Sequence, residues 1–214
     1  MAVLLSKIKK TFTVIGAAVL ILNNCVFAYE SGFSDDFFNL LKKSQKKEVT
    51  QQMLAAKKEL KKRGIEPSVD SFVKHVKKND IEILQIFVDA GFDVNTDFYT
   101  DYPIYYAAKH NKFEAAEFLL KNGANPNLGF NPPLIEAIKN KNPKIVHILL
   151  EYGAKPNKDD FISGYTILYT ALKDKQYEIA KDLLEHGARP DGASMAIIES
   201  KNLYDILGLD KDIQ

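Results

Sequence analysis

Tryptophan is absent from this chain of 214 residues, and cysteine occurs once, as Cys25. A lone cysteine closes no intrachain disulfide, so core packing alone must hold the fold. A surplus of either charge is missing too: 29 basic residues face 28 acidic ones, a net charge of +1. Lys7, Lys9 and Lys10 are the only charges in residues 1–28, and without them 26 basic residues face 28 acidic ones. That balance gives no general pull toward nucleic acid, which is not expected as a partner. Catalytic signatures are missing as well. There is no HExxH pair, no glycine-rich phosphate loop and no serine in a nucleophile-elbow setting. His75, His110, His147 and His186 fall at different points of the pattern described below, so no metal site, cofactor or catalytic residue is expected. An active site is spatial, however, so an enzyme or small-ligand receptor with an unrecognised pocket stays open as the alternative from another class.

A long apolar run is also lacking. Residues 11–22 are uncharged and mostly apolar, shorter than the roughly 18–20 residues that cross a bilayer. With the basic stretch before it and Val26-Phe27-Ala28 after it, the run reads as an export signal, residues 1–28, cleaved after Ala28. The alternative is an uncleaved anchor. A lipid-anchored form would need a small residue before Cys25, where Asn24 stands. The expected product is periplasmic or secreted and touches membrane only through the signal.

What the chain has in abundance is internal repetition. Residues 102–127 read YPIYYAAKHNKFEAAEFLLKNGANPN, and the same pattern returns at 132–157 and 166–191, with a degenerate copy at 70–95. Gly91, Gly123, Gly153 and Gly187 close these copies at intervals of 32, 30 and 34 residues. Each copy has one short helix, a tight turn, a second helix ending in an apolar pair, and a polar loop. A period near 33 with two helices per unit predicts an all-α solenoid of stacked helix-turn-helix units. Ile104, Ala107, Ala108, Ala115, Phe118 and Leu119 are the expected inward positions of one unit. Asp182 stands where other units carry Phe118 or Ile148, so it either faces solvent or breaks the packing.

Both ends of a stack need atypical closing elements. Residues 29–67 are read as a helical N-terminal cap before a repeat domain over 68–214. Ser34 is the expected cap of a first helix opened by Asp35 and Asp36, and a second helix is expected over 46–63. Val49, Met53, Ala56 and Leu60 form that second helix's apolar face, Gly64 ends it and Pro67 prevents its resumption. Residues 193–209 are read as two short closing helices.

Pro103-Ile104 with Ala107-Ala108, Pro133-Leu134 with Ala137, Gly164-Tyr165-Thr166, and the endings Leu119-Leu120-x-x-Gly123-Ala124, Leu149-Leu150-x-x-Gly153-Ala154 and Leu183-Leu184-x-x-Gly187-Ala188 make the chain resemble the ankyrin repeat family. The clear match covers residues 70–191. The family's Thr-Pro-Leu-His start is mostly lost: Asp70, Tyr102 and Pro132 replace the threonine, and Thr166 keeps it. Lower stability than an idealised array is expected, with the same fold. The resemblance implies a non-catalytic module, a monomer that binds another protein along its loop tips and concave helix face.

Three surfaces are candidates for that contact. Phe98, Phe130 and Phe161 fall at nearly the same point of successive loops, with Tyr99 and Tyr165 beside them. They are either exposed anchors or staples packed on one another. Lys77, Lys109, Lys139 and Lys173 share one position near the end of the first helix. They either dock an acidic partner or merely suit a helix C-terminus; no aromatic residues interleave with them. The run from Lys57 to Arg63 reads best as the solvated end of a long helix. Within protein binding, a resident envelope partner (scaffold, inhibitor or immunity protein) competes with a secreted effector that binds a host protein. The short signal and a composition rich in Lys, Asn and Ile point to a bacterial source.

Overall fold

The computed structural model describes residues 35–99, 101–129, 132–157 and 165–210, with side chains described from Val49 onward. The expected signal, Ser34, Phe130 and Phe161 lie outside these residues. The described residues form eleven helices: α1 (Asp35–Lys62), α2 (Val69–Lys78), α3 (Ile81–Asp89), α4 (Pro103–Lys109), α5 (Phe113–Lys121), α6 (Pro133–Lys139), α7 (Pro143–Glu151), α8 (Ile167–Lys173), α9 (Tyr177–Glu185), α10 (Gly192–Lys201) and α11 (Tyr204–Leu207). None of them is long and apolar enough to cross a membrane. Helices α2, α4, α6, α8 and α10 stack side by side as one row, and α3, α5, α7, α9 and α11 as a second. Helix α1 extends the second row by packing on α3.

The core lies between the two rows. Ala107, Ala108, Ala115, Ala116, Ala137, Ala171 and Ala180 are wholly buried, and their small side chains let neighbouring helices approach closely. Larger residues such as Leu84, Ile138, Ile145 and Leu149 fill the spaces between, each stabilising the fold by about 1.5–3 kcal/mol. Phe118 and Ile148 lie only half inside, packed against this core. In the first unit Phe72, Phe87 and Phe92 form a ring cluster with centroids 4.8–5.3 Å apart.

Each helix pair turns on one left-handed residue. Asn79, Asn111, Lys141, Lys175 and Asn202 have φ between 50° and 60°, a region in which asparagine is tolerated better than lysine. Asn202 extends this series into the α10–α11 pair. Proline opens α4, α6 and α7 at a position where its missing N–H is not needed.

Asparagines join one unit to the next. The Asn95 side chain donates to Gly123 O (2.9 Å) and accepts from Asn125 N–H (2.8 Å). Asn127 does the same with Gly153 O and Lys155 N–H (2.8 and 2.9 Å). Asn157 repeats it with Gly187 O and Arg189 N–H (2.9 and 2.7 Å). At the fourth place stands Asp191, which has no N–H to give. Its carboxylate accepts from Ser194 N–H (2.7 Å), capping α10, and from the Thr166 hydroxyl (3.2 Å).

Three local expectations are corrected. The two helices expected before residue 64 are one, Asp35–Lys62. The run Lys42-Lys43-Ser44-Gln45-Lys46-Lys47 contains neither glycine nor proline, so nothing in it stops a helix. Of the apolar positions expected there, Ala56 and Leu60 are buried and Val49 is 40% exposed. In the first unit Ser68, not Asp70, stands at the threonine's place: Asp70 lies inside α2, and Ser68 caps the helix, accepting from Ser71 N–H at 3.2 Å. Asp182 neither faces bulk solvent nor breaks the packing, because two histidines occupy it, as described below.

Candidate partner-binding face

The expected lysine column lies on the first-helix row, and aromatic rings interleave with it, contrary to the sequence reading. Tyr105 and Lys109 are four residues apart on α4, as are Tyr169 and Lys173 on α8, so each pair shares a helix face. Lys109 Nζ lies 5.3 Å from the Tyr105 ring centroid, and Lys173 Nζ lies 5.9 Å from Tyr169 and 6.0 Å from Tyr165. Lys77, one unit earlier, reaches across to Tyr106 (4.4 Å) and Phe98 (5.7 Å). At these distances the ring quadrupole attracts the ammonium, worth about 0.5–1 kcal/mol at exposed sites.

The rings also touch one another. Phe98 packs edge-on against Tyr99 (4.7 Å) and Tyr106 (5.5 Å), and Tyr106 against Tyr105 (5.1 Å). Tyr165 stacks on Tyr169 at 4.5 Å. Phe98 pairs with Asp101 through two backbone bonds (2.8 and 3.2 Å), a miniature hairpin with Tyr99 at its tip at φ +64°. Tyr99 is 83% exposed, while Phe98 is half-buried beneath it. Of the expected aromatic anchors, Phe98 is thus a platform and Tyr99 the projecting group, and Tyr165 is 46% exposed. Lys139 differs from the other lysines. The residue four before it on α6 is Ile135, and it pairs with the Glu136 carboxylate at 3.7 Å.

Titration directions map the field of this face. Burial, then the charges of Lys77, Lys109 and Lys112, hold His110 below its ordinary value. A hydrogen bond with Tyr105 raises Lys109. Burial, then the Asp101 carboxylate, raises Tyr106. Around α2 and α4 the rings thus lie among the Lys77, Lys109 and Lys112 ammoniums and the Asp101 carboxylate.

The second-helix row carries a cluster that sequence reasoning missed. His147 on α7 points Nδ1 at both carboxylate oxygens of Asp182 on α9, 3.2 Å from each. His186 Nδ1 donates to the Asp182 backbone carbonyl (2.9 Å) and lies 3.1 Å from its carboxylate, and His186 Nε2 lies 3.3 Å from Glu151. Both ring nitrogens of His186 therefore face acceptors, which suits the doubly protonated ring. The backbone bond to Asp182, then the bond to Glu151, raises its pKa. Among the described residues no group of His, Cys, Asp and Glu has an arrangement that would hold a metal ion. The other charged run is partly tied down: Arg63 bonds Glu59 (2.8 Å) and, on α3, Glu82 (2.6 Å).

Comparison with known proteins agrees with this architecture. A family model described as ankyrin repeats (three copies) matches residues 27–130, 72–160 and 129–193. The human transient receptor potential cation channel subfamily A member 1 is 35% identical to this chain over 92 residues. That stretch is 39% of this chain and 8% of the channel's length.

Proposed function

We propose, from the premise that this chain belongs to the ankyrin repeat family, that it is an exported, non-catalytic module that captures a partner protein on its loop tips and first-helix face. Ankyrin repeats indicate a protein–protein interaction module. Its placement outside the cytoplasm is our reading of the N-terminal 28 residues; a resident envelope partner is the preferred role and a secreted effector the alternative. The observation that carries the choice of face is the row of lysines seated on tyrosine rings, with Tyr99 projecting beside it. Exposed aromatics flanked by charge are the residue types that anchor protein interfaces.

Affinity capture with the 214-residue chain tests the face. The bait should retain a protein from the envelope or the surrounding fluid, and a Tyr99→Ser/Lys109→Glu/Lys173→Glu variant of unchanged helicity should lose it. Equal retention by both baits would move the interface elsewhere. N-terminal sequencing of the fractionated protein tests export. It should begin at Tyr29, and a protein that keeps Met1 in the cytoplasm would refute that part.

A further inference from the structure

The geometry points to an extended acidic segment of a partner protein as the occupant of the first-helix face, lying across the helices with its carboxylates on Lys77, Lys109 and Lys173. This inference rests on the protein-binding reading and adds the partner's chemistry and spacing. The three lysines are held in place before any partner arrives, because each ammonium sits over one or two rings. Holding a long side chain in advance removes part of the ordering cost of binding. At one end of this face Lys77 and Lys109 lie close enough to His110 to lower its pKa, after the larger effect of its burial.

The spacing follows from the stack. Lys77, Lys109 and Lys173 belong to the first, second and fourth helices of the row, with Lys139 on the third. Packed helices lie about 8–10 Å apart, and an extended chain advances about 3.3 Å per residue. One helix step therefore takes about three residues. The third helix presents Glu136 beside Lys139, an ion pair with little net charge. The fitting segment then carries acids at roughly its first, fourth and tenth positions and a neutral residue at its seventh, or the same order reversed. A nucleic-acid strand is a poor match for this face. Its phosphates recur at every nucleotide and would set one against Glu136, whereas a peptide can leave that place uncharged.

Synthetic peptides and a random peptide library, both presented to the full chain, test this. A peptide with glutamates at positions 1, 4 and 10 or its reverse should bind more tightly than one with the same acids at 1, 2 and 3. Each of Lys77→Gln, Lys109→Gln and Lys173→Gln should weaken that binding about tenfold, with the thermal melt lowered by only a few degrees. Glu136→Lys should shift the preference to peptides that add an acid at the seventh position. Binding indifferent to the placement of the acids overturns the inference, as does tighter binding of a single-stranded decanucleotide. Library peptides that need this face but carry no acids would also overturn it and leave protein binding standing. A library that yields no peptide dependent on this face would remove both.

Discussion

The two ends of the described stack are built differently. At the N-terminal end a helix of 28 residues lies along the second row. Leu60 and Ala56 are buried there, and Arg63 is tied to Glu82 on α3. Beneath it the three rings of Phe72, Phe87 and Phe92 thicken the first unit. At the C-terminal end the closing pair is α10 and the four-residue α11. Ile198, Leu203 and Leu207 are buried in that pair, while Ile206 is 53% exposed. Among the described residues one end carries a long added helix and the other a shortened pair. A repeat stack needs only to bury its last apolar face, and chain length on one side substitutes for trimming on the other.

The sharpest way to break this comparison is to hollow out each end. Phe87→Ala should cost about 3–5 kcal/mol in urea titration, because the ring is fully enclosed and leaves a cavity. Leu207→Ala should cost about 2 kcal/mol and loosen only α10 and α11. Equal global losses would erase the distinction. Next in size is the joint between units. Asn127→Ala removes a donor and an acceptor together, and about 2 kcal/mol should disappear from the unfolding free energy.

A smaller change should strengthen the C-terminal side. Gln176 stands where Asp80 and Asn142 cap their helices, yet both polar atoms of its side chain are buried without a partner among the described residues. Its extra methylene carries the amide past the backbone N–H that a shorter side chain reaches. Gln176→Asp should raise stability by about 1 kcal/mol in the same titration.

The smallest effect is one of pH, and it has opposite signs in the two halves. His186 has a raised folded pKa. Its contribution is present below the ordinary value of 6.5 and is lost as pH rises through the higher folded value. His110 has a lowered one, so the unfolded chain takes up its proton first and destabilisation grows as pH falls below 6.5. Moving from about pH 7.5 to about 5.5 should increase hydrogen-exchange protection in α7 and α9 and decrease it in α4 and α5, after correction for intrinsic rates. His186→Gln should remove the first change and leave the second.

Much of this architecture is readable in the sequence because it is local and repeated. The recurring glycines and Leu-Leu pairs announce helix ends at a fixed period, and the alanines announce close packing. What the sequence hides is of two kinds. Some signals are present but weak, as in the continuity of α1, where a polar run looked like a break. Others are relations between units. Asp182 is an anomaly within its own helix and becomes intelligible only when α7 brings His147 beside it. The tyrosines under Lys109 and Lys173 lie at i−4 positions and were visible in principle. Lys77 over Tyr106 was not, because that contact spans two units. Phe130 and Phe161, the other expected anchors, lie outside the described residues.

The row Asn95, Asn127, Asn157, Asp191 also bears on how such an array changes in number. Each asparagine makes the same joint with whatever unit follows, so a copy can be duplicated or excised between two of them and the seam re-forms. Asp191 cannot make that joint, since an oxygen stands where the amide nitrogen would be. A further full-length repeat inserted between α9 and α10 would therefore need Asp191→Asn to make the same seam.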